Sequence, residues 1–126
     1  MSKEIISTPN APAATGPYSQ AVKTGNMVFL SGQIPLLPET MEMIEGGVTE
    51  QAQQVFKNLS AVAEAAGGSL NDAVKVNISL TDLGDFAAVN EVMASVFDEP
   101  YPARACVQVA ALTRGAMVEI EVILAL

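Results

Sequence analysis

Arg104 follows Tyr101-Pro102-Ala103 and opens an apolar run, so its guanidinium is carried at the start of a β-strand. From there it can grip a carboxylate through two parallel hydrogen bonds, or pair with one of the chain's own 14 acidic side chains. Cys106 lies two residues on and shares that strand face. It reads as a small buried hydrophobe or as a nucleophile, and the sequence has no histidine to help form a thiolate. Glu119 stands among apolar neighbours, where burial would raise its pKa toward the range useful for acid–base work. An exposed strand position is the plainer alternative, and Glu121 competes on the same face. Tyr18, after Gly16-Pro17, offers a hydroxyl to a polar ligand or a ring packed over a turn. Ser31-Gly32 offers a hydroxyl and backbone donors, or simply turn chemistry.

The composition narrows the chemistry. The chain has 126 residues, a formal net charge of -8 and no histidine. A serine or cysteine hydrolase built on a histidine base is therefore excluded. One cysteine without histidine cannot supply a typical zinc site, so no metal is expected. The same lone Cys106 forms no intrachain disulfide and fits a reducing compartment. The six basic residues, Lys3, Lys23, Lys57, Lys75, Arg104 and Arg114, are scattered rather than clustered, which argues against a nucleic-acid partner. The start, Met1-Ser2-Lys3-Glu4, leads into no apolar core of signal-peptide length. No apolar stretch approaches the ~20 residues that cross a bilayer. The expectation is a soluble, cytoplasmic protein without a membrane partner.

The elements that must position these residues follow from periodicity. Length and a 50% hydrophobic content fit a single domain over 1–126, with no linker or repeat. Two apolar runs, 21–23 and 27–31, flank Thr24-Gly25-Asn26 and predict a hairpin that Gly32 and Pro35 end. Ala52, Val55, Phe56, Leu59, Val62, Ala63 and Ala66 lay one stripe along a helix that Gly67-Gly68 stops. Val74, Val76, Ile78 and Leu80 alternate with polar residues, as a half-buried strand requires. A second helix begins near Asp82 or Asp85, with Phe86, Val89, Met93, Val96 and Phe97 inward, and strands near 103–110 and 118–126 close the chain. The pattern predicts an α+β domain, a mostly antiparallel sheet with two helices on one face. Its other face is mixed rather than plainly solvated, which hints at an oligomer.

Gly16-Pro17-Tyr18-Ser19-Gln20-Ala21, Ser31-Gly32-Gln33-Ile34-Pro35, Tyr101-Pro102-Ala103-Arg104 and Val118-Glu119-Ile120-Glu121 together resemble the RidA (YjgF) family. The helix from Gln51 to Gly67 and the stretch Leu83-Gly84-Asp85-Phe86-Ala87-Ala88-Val89-Asn90 are similar to it as well. The motifs stand in the family's order over nearly the whole chain. The resemblance implies a chorismate-mutase-like domain assembled as a homotrimer, with active clefts between subunits. It further implies hydrolysis of 2-iminopropanoate and 2-iminobutanoate, released by pyridoxal-phosphate enzymes, to 2-keto acids and ammonia, with no cofactor.

By the same resemblance Arg104 binds the substrate carboxylate and Glu119 positions or activates water. Tyr18, Ser31 and Asn90 contribute to the pocket, and Cys106 lines it mainly through its backbone. The role of the loop 36–47 is left open. The alternative is a non-catalytic module that binds keto or imino acids at the same clefts. A ribonuclease, attached to some relatives, is disfavoured by the charge.

Overall fold

The computed structural model describes residues 2–126. Helix α1 (Val48–Ala65) forms where the three-to-four-residue period runs, and Ala52, Val55, Phe56, Leu59, Val62 and Ala63 are all buried along it. Glu50 closes its first turn by accepting the Gly47 N–H at 2.7 Å. At the other end Gly67 takes a φ of +93°, a left-handed stop that a side chain would disfavour, and the Gly68 N–H returns to the Ala63 carbonyl at 3.0 Å. Helix α2 (Phe86–Val96) packs beside α1 and buries Val89, Val92 and Met93. Just beyond it Phe97 meets Phe56 edge to face, ring centroids 5.6 Å apart.

Six strands form one sheet among the described residues: β1 (Glu4–Ile6), β2 (Ala21–Thr24), β3 (Met27–Gln33), β4 (Ala73–Leu80), β5 (Ala103–Gln108) and β6 (Val118–Ala125), in the order β1-β2-β3-β6-β4-β5. Only β4 and β5, joined through α2, run parallel; the other pairings are antiparallel. Val76, Ile78 and Leu80 of β4 and Val118, Ile120, Val122 and Leu124 of β6 are buried beneath the helices. Each such side chain contributes roughly 1.5–3 kcal/mol of transfer free energy. The architecture is the expected α+β domain, with both helices on one face of a mixed, mostly antiparallel sheet. On the other face Phe29 is 45% and Val107 52% exposed. No helix among the described residues is long and apolar enough to cross a membrane.

Three details depart from the periodicity. β1 arises in the Pro- and Ala-rich start, where no strand is predicted, and pairs with β2 from Glu4 to Ile6. Val74 does not join the buried face of β4, because the register with β6 shifts between Ala73 and Lys75 and leaves it exposed. Phe86 is exposed rather than inward, and its ring lies against Arg104 instead of the core.

Candidate active site

Arg104 pairs in register with Val76, so its side chain projects on the helix side of β5. Its Nη1 donates to Asn90 Oδ1 on α2 and lies 3.8 Å from Met93 Sδ, while the guanidinium carbon sits 5.1 Å from the centroid of Phe86. These contacts orient the charge without neutralising it: among the described residues Arg104 has no carboxylate partner. Asn90, Met93, Ala94, Tyr101, Pro102 and Arg104 line a cavity of about 460 Å³. A planar cation held by a neutral amide and an aromatic ring leaves N–H groups free for an incoming anion.

Cys106 lies on the same face, half-buried against the core. Burial pushes its thiol pKa up, and the Arg104 charge offsets this only in part, so at neutral pH it is a thiol. Its backbone is the more useful group. The Val109 N–H reaches the Leu80 carbonyl at 2.8 Å, and the two-residue alternation of a strand then turns the Cys106 N–H outward to the free edge of β5.

Glu119 pairs with Ser79 and therefore projects from the opposite face. There β3 bulges between Leu30 and Gln33, bringing Gly32 against the carboxylate. A Cβ on Gly32 would come 3.1 Å from Glu119 Cδ, so glycine admits this approach. Burial first, and the neighbouring Glu121 second, raise the Glu119 pKa above the ordinary glutamate value. Glu121 itself is exposed and accepts from Asn77 Nδ2 at 3.1 Å. Glu119, Tyr18, Gly32, Ile34, Leu36 and Arg114 are among the residues lining a cavity of about 560 Å³. Tyr18 is exposed at its rim, and Ser31 donates its hydroxyl to the Ser19 carbonyl at 2.6 Å, fixing the segment that follows Tyr18.

Buried amides hold the walls of this cavity. Gln20 accepts the Thr8 N–H at 2.7 Å and donates to the Pro12 carbonyl at 2.8 Å. Asn58 on α1 donates to the Leu36 carbonyl at 2.9 Å, and Gln51 accepts the Met117 N–H at 2.9 Å. Removing such a partner strands a buried polar group, at a cost of about 1–3 kcal/mol. Arg114 Nη1 donates to the Met41 carbonyl at 2.6 Å, and both residues are left-handed, with φ of 58° and 62°. That conformation costs a non-glycine residue roughly 1–2 kcal/mol.

The sites expected from sequence thus fall into two groups. Arg104, Asn90 and Cys106 share the helix side of the sheet edge; Glu119 and Tyr18 share the cavity on the opposite face, with Ser31 bracing it. Within one chain the sheet stands between them.

A model of the Endoribonuclease L-PSP family matches residues 8–126. RidA from the Antarctic bacterium Psychrobacter sp. PAMC 21119 is 62% identical, and its crystal structure superposes with a TM-score of 0.95 over 98% of this chain and 99% of that one. The chain belongs to the RidA family. Among RidA relatives, the 2-iminobutanoate/2-iminopropanoate deaminase of Dermatophagoides farinae is 53% identical over 94% of this chain and 93% of its own. Escherichia coli TdcF, solved with bound serine, is 47% identical with a TM-score of 0.93, covering 98% of each chain.

Some residues at these two cavities lie beyond what the sequence patterns point to. Phe86 was assigned to the core by its helical period, and only the open sheet edge beside it reveals the stack on Arg104. Tyr101 stood in a recognised motif but without a role. Gly32 is expected beside Ser31 as a source of backbone donors; the structure adds its approach to Glu119 through the bulge of β3. Met41 and Arg114 carry no such signal, being 73 positions apart.

Proposed function

We propose that this chain hydrolyses 2-imino acids, 2-iminopropanoate and 2-iminobutanoate among them, to 2-keto acids and ammonium. The observation that carries the reading is Arg104: a cation oriented by Asn90 and Phe86, without a carboxylate partner, facing a cavity. The deaminase named at 53% identity supports the reaction type.

The two half-sites on opposite sheet faces favour a cleft completed by two subunits, Arg104 from one and Glu119 from its neighbour. The exposed Phe29 and Val107 favour closure of the outer face in a homotrimer. In that cleft Arg104 and the outward Cys106 N–H hold the substrate carboxylate, while Tyr18 and Ser31 border the reacting carbon. Glu119 takes a proton from water as the oxygen adds to the iminium carbon, giving a tetrahedral aminol. Glu119 returns that proton to nitrogen, the C–N bond breaks toward nitrogen to release ammonia, and the hydroxyl proton passes to the ammonia through Glu119 as the carbonyl forms. One iminium and one water thus become one keto acid and one ammonium. The upward shift of the Glu119 pKa, from burial first and Glu121 second, makes it a better proton acceptor than an ordinary glutamate. The electrophile is already activated, so positioning supplies most of the rate. We place the reaction in the cytoplasm, where Cys106 stays reduced.

The test generates 2-iminobutanoate in place with threonine dehydratase while semicarbazide competes to trap it. Native protein lowers semicarbazone formation, and Arg104→Ala abolishes the protection. No protection across several imino acids overturns the reading. It would leave the binding module, which the serine bound to Escherichia coli TdcF favours. The net charge of -8 counts against cleavage of RNA, despite the family model's description.

A further inference from the structure

Arg104 and Arg114 are the chain's only arginines, and the same construction surrounds both. Each borders a cavity, each guanidinium is oriented by one neutral oxygen, and neither has a carboxylate partner among the described residues.

Among the described residues Arg114 is the only cation lining the Glu119 cavity, as Glu119 is its only anion. One of its five N–H donors goes to the Met41 carbonyl, and the others stay available in a fixed fork. Both ends of that bond are held in the left-handed conformation, a feature that gathers at ligand clamps. The cavity that holds both groups measures about 560 Å³ in the single chain. Ile34, Leu36 and Met41 line the same cavity as Glu119 and Arg114, so a substrate side chain placed there shares its walls with a cation.

We propose that Arg114 is a second anion subsite, taking the distal carboxylate of dicarboxylic 2-imino acids such as 2-iminoglutarate. The inference rests on the deaminase reading: the α-carboxylate is on the neighbour's Arg104, the iminium carbon at Glu119, and the side-chain carboxylate on Arg114. The hydrolysis is unchanged, one water in and one ammonium out.

The experiment compares native protein with Arg114→Gln, which removes the charge while keeping a polar N–H donor, and Arg114→Lys, which keeps the charge. Semicarbazide competition is run with 2-iminoglutarate, made in place by a flavin L-glutamate oxidase, and with 2-iminobutanoate. Arg114→Gln lowers the ratio of kcat/KM for the dicarboxylic over the monocarboxylic imine tenfold or more, and Arg114→Lys restores part of it. An unchanged ratio, including an equal fall on both imines, overturns the subsite and leaves the deaminase standing. Calorimetry with 2-oxoglutarate and 2-oxobutanoate decides the matter if native protein hydrolyses neither imine. A loss of affinity for 2-oxoglutarate alone in Arg114→Gln upholds the subsite, and equal affinities in native and variant protein overturn it.

Discussion

Arg104 and Glu119 project from opposite faces of a single sheet, opposite Val76 and Ser79 of β4 respectively. A site that uses both must therefore borrow one of them. Arg104→Ala and Glu119→Gln proteins, each inactive alone, should regain activity when co-refolded. Random mixing restores up to about a quarter of the native sites. Activity that stays at the background of the separate variants would mean that one subunit supplies the whole site.

Glu119→Gln should slow imine hydrolysis by about a hundredfold or more, a typical loss for a general base. It should also stabilise the fold at neutral pH. The Glu119 pKa is raised in the folded state, chiefly by burial, so its contribution is fully present below the unfolded value and is lost as pH rises through the folded one. The glutamine variant avoids that loss. Its melting temperature should exceed native at pH 7 and converge with it as pH falls below the ordinary glutamate range, as read by thermal denaturation.

Phe86→Leu removes the ring beneath Arg104 while keeping an apolar side chain of similar reach. An exposed cation–π contact contributes about 0.5–1 kcal/mol, so KM should rise roughly two- to fivefold. Steady-state kinetics should show kcat nearly unchanged, and Phe86→Tyr should restore KM. A fall in kcat with KM constant would place Phe86 outside carboxylate binding.

Gly32→Ala puts a methyl group 3.1 Å from Glu119 Cδ and 3.2 Å from its Cγ. The carboxylate must yield by a few tenths of an ångström, and kcat should fall by about tenfold, given the steep dependence of catalysis on placement. Circular dichroism should show the fold intact. Native kcat in this variant would mean that Glu119 has slack the bulge does not suggest.

What the sequence disclosed, and what it hid, divides along the range of the interactions. The stripe from Ala52 to Ala66 specifies α1 because burial of one helix face needs only local spacing. Alternation likewise marks β4, yet it runs through Val74, because a register shift is settled by the partner strand and not by the strand itself. β1 is three residues long, too short for any period to show, and exists because β2 offers an open edge. Motif resemblance pointed to Arg104, Asn90 and Glu119; that Asn90 touches Arg104 while Glu119 lies across the sheet emerged only with the strand order. The Met41–Arg114 bond joins two loops that no pattern connects.

The two half-sites also draw on very different lengths of chain. The Arg104 cavity is gathered from residues between Asn90 and Arg104, whereas the Glu119 cavity reaches from Pro12 to Glu119. Closing the first takes a short loop of low contact order; closing the second brings nearly the whole chain together. The Arg104 cavity can thus close with fewer distant segments in place. The Glu119 cavity forms only once segments as far apart as Pro12 and Glu119 have met, so its shape reports on the folding of nearly the whole chain.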